Sequence, residues 1–212
     1  MHMRTMNGNT HITISGAGLA MRFNGALIFK NIGFEAATGK CVAITGPNGS
    51  GKSTLMEIAA LLLRPTAGEV ACRENGADVS SSDMIRKMGF LSPRVNCYGE
   101  LTGFENIRYA ARSRGVSDVA AMERMRSFGL YRHGRKRVKH YSSGMRQRLK
   151  IIIAVLHNPP VLMFDEPSMN LDAAGKALLY EYIESVRAGK AIVIATNEPE
   201  EIALAQEAVR LG

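Results

Sequence analysis

The chain has 212 residues, 46% hydrophobic and 22% charged, with seven prolines and three cysteines. That is enough apolar content for one domain with a sizeable core, in up to two lobes, and it excludes a disordered or Pro-rich spacer. Cys41, Cys72 and Cys97 stand far apart with no CxxC pair, which excludes a disulfide scaffold or zinc cluster and points to a reducing, cytoplasmic setting.

The formal charge is +8, and it is unevenly spread. Residues 108–150 hold thirteen Lys/Arg against only Asp118 and Glu123, a net of +11 that leaves the remainder at −3. Such a block is either a solvated helical face or a surface for an anionic partner: nucleic acid, lipid headgroups or acidic protein loops.

The first residues, MHMRTMNGNTHITI, lack the apolar core of a signal peptide, and no run approaches the ~18–20 apolar residues of a membrane span. Residues 11–36 alternate in polarity and are broken by Gly16, Gly18, Asn24 and Gly25, which predicts antiparallel hairpins. Cys41-Val-Ala-Ile-Thr45 is a short apolar run of the kind buried in parallel sheets. A helix is predicted over 53–63, stopped by Arg64-Pro65. Helices follow over 103–130 and 144–157, then a buried strand over 161–164, a helix over 173–187 and a strand over 191–195. A short helix and a last strand close the chain. Strands alternating with helices predict an α/β fold with a parallel sheet.

Gly46-Pro47-Asn48-Gly49-Ser50-Gly51-Lys52-Ser53 fits G-x-x-x-x-G-K-[ST], with Thr54 next, between a predicted strand and a predicted helix. The glycines let successive backbone N–H groups turn inward and form a nest for a β-phosphate. Lys52 can reach the β- and γ-phosphates, the Ser53 hydroxyl can ligate Mg²⁺, and the helix start adds its positive end. The segment reads as a nucleoside triphosphate site. Asp165-Glu166 ends a buried strand, at the sheet edge where α/β folds bind ligands. Asp165 is suited to hold Mg²⁺ as the partner of Ser53, and Glu166 to orient or deprotonate an attacking water.

Taken in order, GPNGSGKST, LLLRPTAGEV, Tyr141-Ser-Ser-Gly-Met-Arg-Gln-Arg148, FDEP and Ser168-Met-Asn-Leu-Asp172 make the chain resemble an ATP-binding cassette (ABC) ATPase, the motor subunit of ABC transporters, over nearly its whole length. The resemblance implies one domain, with 11–88 and 156–212 as the nucleotide-binding lobe and about 95–150 as a helical lobe ending in the signature motif. It implies that Phe23 stacks on adenine, and that Ser142 and Gly144 of the signature face the γ-phosphate held by a second protomer. Asp172 then matches the aspartate of the loop at that dimer interface. It further implies a head-to-tail dimer, homo- or heteromeric, with ATP and Mg²⁺ at the interface, and a separate transmembrane permease. The cassette would lie on the cytoplasmic face of the membrane, its basic block toward an anionic membrane or permease surface. Short length and texture further resemble haem-exporter and cytochrome c maturation ATPases.

Three features depart from the family pattern, one of them in the signature, which has Ser143 and Met145 where glycine and glutamine are usual. Pro93, in Gly89-Phe-Leu-Ser-Pro-Arg94, replaces the glutamine that touches metal and water, so that contact is lost or passes to Ser92 or Arg94. Asn197 replaces the switch histidine, and it can donate a hydrogen bond to the γ-phosphate but cannot take its proton. Hydrolysis is still expected because Glu166 is present, at a slower rate. The alternative class is a soluble ABC-type ATPase or nucleotide-gated switch acting on nucleic acid or ribosomes. The basic block carries few aromatics for stacking bases, and 212 residues leave no room for a second cassette. No N-K-x-D segment supports a GTPase. His133 and His140 read as surface residues, and Met84, Met88, Met122 and Met125 as helical core residues, the first two able to line a groove at i, i+4 spacing.

Overall fold

A computed structural model of the chain describes residues 10–212. Residues 1–9, part of the stretch in which no signal-peptide core was expected, lie outside the described residues. The expected hairpin forms between β1 (Ile12–Phe23) and β2 (Ala26–Ala37), which pair antiparallel. Asn24 and Gly25 turn the chain between them with φ of 49° and 82°, the left-handed pair that matches strand twist. β4 (Ala67–Glu74) pairs with the other edge of β1, and β5 (Ala77–Asp78) completes a sheet in the order β2-β1-β4-β5.

The second sheet has β3 (Cys41–Thr45), β6 (Met88–Leu91), β7 (Val161–Asp165), β8 (Ala191–Ala195) and β9 (Glu207–Arg210) in the order β6-β7-β8-β3-β9, every pairing parallel. Its central strands are apolar up to their carboxyl ends, Thr45 and Asp165, because both faces are covered. Alternation sends neighbouring residues to opposite sides. Val42, Ile44, Met163 and Val193 enter one core with the antiparallel sheet, while Leu162, Phe164, Ile192 and Ile194 enter another with the helices. Full burial of a side chain such as Phe164 is worth about 1.5–3 kcal/mol.

Helix α1 (Lys52–Ala59) is shorter than 53–63: Leu61 takes φ 62°, and the amides of Leu62 and Leu63 both close on the Glu57 carbonyl, which ends the helix before Pro65 acts. α2 (Ser81–Arg86) ends before Met88, so Met84 and Met88 do not share a helix face; both are buried, Met88 in β6. The single helix expected over 103–130 is two, α3 (Gly103–Ser113) and α4 (Asp118–Ser127). Gly115, at φ 67°, turns the chain, and Ser117 starts α4 by accepting the Ala120 amide. α3 opens on a capping box in which Thr102 and Glu105 satisfy each other's backbone amides. α5 (Ser143–Val155), α6 (Ala173–Val186) and α7 (Pro199–Ala203) complete the helices. Among the described residues no helix is long and apolar enough to cross a membrane.

The basic block covers α3, α4, the loop after them and the start of α5. His133 and His140 are exposed, as expected, and so are Arg132, Arg135 and Lys136. Those three cations have no carboxylate within salt-bridge distance among the described residues, whereas Arg137 and Lys139 share Glu100.

Candidate nucleotide site

The loop from Gly46 to Lys52 joins the end of β3 to the start of α1, at the carboxyl edge of the parallel sheet. Gly46 has φ 147°, and a Cβ there would strike the Leu211 carbonyl. Gly51 has φ 97°, and its Cβ would stand 2.6 Å from Ile28. Both positions therefore demand glycine, and the loop's curl follows from them. Lys52 is buried inside the curl, its Nζ donating to the carbonyls of Gly46 (2.7 Å) and Pro47 (3.2 Å).

A cavity of ≈ 330 Å³ opens over this loop, lined by Phe23, Asn48, Gly51, Lys52, Thr54 and Glu166 among others. Ser53 and Gly49 also line it, and Phe23 is 45% exposed at its mouth. A second cavity of ≈ 250 Å³ brings Asn48 and Glu166 together with Ser168, Thr196, Asn197 and Glu201. Glu166 thus stands between the P-loop and the loop after β8. Its backbone has φ 48°, a left-handed conformation that costs a non-glycine residue about 1–2 kcal/mol. Its amide donates to the Ala195 carbonyl at 2.9 Å. Such strain at a single polar residue is typical of functional sites.

Asp165 is buried, and its Oδ1 has no hydrogen-bond partner among the described residues. Burial pushes its carboxyl above the usual carboxylate range, the Ser53 hydroxyl pulls it back, and the neighbouring charge of Glu166 raises it again. An oxygen-bearing pair, Ser53 and Asp165, with one orphaned carboxylate oxygen, is the donor set a hard divalent cation needs. Asn197 accepts a hydrogen bond from the Gly46 amide at 3.3 Å, which sets the switch position against the P-loop.

Seven predicted site residues line neither cavity: Gly46, Pro47, Ser50 and Asp165, together with Ser142, Gly144 and Asp172. Ser142 caps α5 by accepting the Met145 amide at 3.1 Å. Gly144 is packed so closely on the loop after β7 that a Cβ would stand 2.9 Å from the Asn170 carbonyl. Asp172 starts α6, accepts the Gly175 amide at 2.8 Å and pairs with Arg148 at 2.9 Å. Ser92 and Arg94, on either side of Pro93, line neither cavity. Ser92 holds the Arg94 amide, Arg94 reaches out to Glu57 at 2.9 Å, and Lys150 of α5 grips the Pro93 carbonyl at 3.1 Å.

Sequence reasoning missed Glu201, fully buried on α7, since nothing in Glu200-Glu201 says which of the pair turns inward. It also assigned no role to Gln147, whose amide donates to the Pro167 carbonyl at 2.9 Å.

Residues 29–169 match the family described as ABC transporter. The chain belongs to that family. The cassette is 34% identical over 176 residues to the lantibiotic transport ATP-binding protein SrtF of Streptococcus pyogenes, an alignment covering 82% of this chain and 76% of that one. It is 31% identical over 201 residues to the daunorubicin resistance ATP-binding protein DrrA3 of Streptomyces coeruleorubidus, covering 90% of this chain and 61% of the relative. Among solved structures, the cassette superposes on the dimeric post-hydrolysis state of the ATP-binding cassette MJ0796 bound to ADP and Pi with a TM-score of 0.80. That pair shares 25% identity over 93% of this chain and 94% of the other. The resemblance to haem-exporter and cytochrome c maturation ATPases is not supported: these relatives serve lantibiotic transport and drug resistance. Texture and short length are shared across cassettes and do not separate subgroups.

Proposed function

We propose that the chain is the ATP-hydrolysing motor subunit of an ABC exporter, working with a separate transmembrane permease. The observation that carries this reading is the position of Glu166, which lines both the P-loop cavity and the cavity of Asn197. Lys52 turns from the Gly46 and Pro47 carbonyls to the β- and γ-phosphates, and the loop amides from Gly49 to Thr54 surround the β-phosphate. Phe23 stacks on the adenine at the cavity mouth. Ser53 and Asp165 would hold Mg²⁺, which would supply positive charge against the charge developing on the phosphates. Glu166 orients the attacking water and accepts its proton as the oxygen bonds to the γ-phosphorus and the bond to ADP breaks. Asn197 donates to a γ-phosphate oxygen through its amide N–H groups.

Ser142, Gly144 and Asp172, outside their own protomer's cavities, serve the nucleotide of a second protomer in a head-to-tail homo- or heterodimer. The permease seats in an apolar cavity of ≈ 390 Å³ between the parallel sheet and α3, lined by Leu62, Met88, Phe90, Tyr98, Tyr109 and Ile153. Residues 11–88 and 156–212 act as the nucleotide-binding lobe and about 95–150 as the helical lobe, which lies with its basic face toward an anionic membrane on the cytoplasmic side. With proline at 93 and asparagine at 197, turnover is slow. One positioned hydrogen bond to a developing charge is worth about 2.7–4 kcal/mol of barrier, and Ser92 and Arg94 are engaged with the Arg94 amide and with Glu57.

The test is phosphate release by the purified chain with and without its permease. Release that Glu166→Gln abolishes while nucleotide binding persists supports the reading. Release that Glu166→Gln leaves unchanged, or none with the permease present, overturns it.

A further inference from the structure

Glu201 has no part in the chemistry above, yet it is fully buried (0% exposed), as are Ser168 and Thr196 around it (3% and 1%). A buried carboxyl is unfavourable unless its hydrogen bonds do something that an apolar residue could not. Its Oε1 accepts the Ser168 amide at 3.0 Å, and its Oε2 has no partner among the described residues. Burial raises this carboxyl above the ordinary glutamate range, and the hydroxyls of Thr196 and Ser168 pull it partly back.

The contacts on either side give the carboxyl a purpose. Glu166 is fixed before its side chain by its amide on the Ala195 carbonyl, at 2.9 Å. Two residues later the chain is fixed again, by the Ser168 amide on Glu201. Both anchors belong to the segment running from β8 into α7, the segment that carries Asn197. Glu198 strengthens it, donating its amide to Thr196 Oγ1 at 2.9 Å and accepting Lys176 Nζ at 2.9 Å. Asn197 in turn meets the Gly46 amide. The strained turn at Glu166 is therefore held from α5 by Gln147, on the Glu166 and Pro167 carbonyls at 3.4 and 2.9 Å, and from the β8–α7 segment at two points, of which Glu201 supplies the second.

We infer that Glu201 is a positioning residue for hydrolysis: its buried carboxyl clamps loop 168–172 to the segment carrying Asn197 and so holds Glu166 at its angle over the P-loop. This rests on the ATPase reading above. Displacement of a reacting group by about 1 Å can lower a rate by roughly 10²-fold, whereas the P-loop contacts that bind nucleotide do not involve Glu201.

The test compares Glu201→Gln, which keeps the oxygen acceptor, with Glu201→Met, which keeps the length and loses it, in the purified full chain with its permease where turnover requires it. Glu201→Met is expected to lower kcat at least tenfold per folded molecule, with KM for ATP and the Kd for a fluorescent ATP analogue within about twofold of wild type, and Glu201→Gln to recover kcat to within about threefold. Equal kcat for the Met variant and wild type overturns the inference, as does a parallel loss of nucleotide affinity. A Gln variant as slow as the Met variant also overturns it, because the acceptor would then not be what matters. Absence of Glu166-dependent hydrolysis in the wild type overturns the ATPase reading along with it, while an active wild type with an unaffected Met variant overturns this inference alone.

Discussion

Arg148 on α5 holds Asp172 at the start of α6, with Nη2 at 2.9 Å from Oδ1 and 3.2 Å from Oδ2, while the same Oδ1 caps the helix through the Gly175 amide. Loss of an N-cap costs about 1 kcal/mol, and a half-exposed ion pair adds about 0.2–1 kcal/mol. Asp172→Ala is therefore expected to lower the melting temperature by roughly 3–8 °C, at 2–4 °C per kcal/mol for a chain of this size. Asp172→Asn, which keeps the cap, should lose less than half of that in a calorimetric melt.

The left-handed φ of Glu166 separates stability from activity. Glu166→Gly and Glu166→Ala should both stop phosphate release. Only the glycine variant relieves the backbone, so it is expected to be more stable than the alanine variant by up to about 1 kcal/mol in urea titrations. Equal stability of the two would show that the turn is not strained.

Asn197 already contacts the P-loop through its acceptor. Asn197→His restores a side chain able to donate and to carry charge near the γ-phosphate, and a several-fold rise in kcat is expected. Asn197→Ala should lower kcat. If the histidine variant turns over no faster, the asparagine is not a weakened switch.

Burial pushes the Cys41 thiol up to about 12 and the Cys97 thiol up to about 11, and Cys72 is also raised. The thiolate is the reactive form, so raised values mean inert thiols at neutral pH. At pH 8 a thiol near 11 is roughly one part in a thousand thiolate, against about a quarter for an ordinary cysteine. Native Cys97 should then react with iodoacetamide roughly two-hundredfold more slowly than in the unfolded chain. Its rate should climb about tenfold per pH unit up to about 11.

Arg132, Arg135 and Lys136 are exposed without acidic partners among the described residues. Binding to vesicles containing phosphatidylserine is expected to weaken as salt rises from about 50 to 500 mM, since the Debye length falls from about 14 to about 4 Å. Replacing the three with alanine should remove most of that binding, at about 1 kcal/mol per cation. Salt-independent flotation would return the block to a solvated face.

Much of this was legible because it rests on local rules. The P-loop spacing, the apolar run before it and the acid pair after Phe164 dictate a phosphate nest at a sheet edge whatever surrounds them. The hairpin at Asn24-Gly25 was legible for the same reason. The break at Gly115 was not, since an isolated glycine in a helical pattern is only a weak signal until Ser117 is seen to cap a new helix. Met88 was misplaced because i, i+4 spacing has no meaning once the helix ends at Arg86. Glu201 and Lys150 escaped for a deeper reason. Their partners are a backbone amide 33 residues away and a backbone carbonyl 57 residues away, and backbone groups leave no mark in a sequence.

The parallel sheet separates two cores, with Phe164 and Ile194 on one side and Met163 and Val193 on the other. The wall they share carries the nucleotide edge, but neither core encloses it. Opening of α3 and α4 need not break the strands, so their amides are expected to exchange with solvent faster than those of β3, β7 and β8 in a hydrogen-exchange measurement. If that ordering holds, motion on the helical side would reach a neighbour without disturbing the strands that carry the phosphate loop.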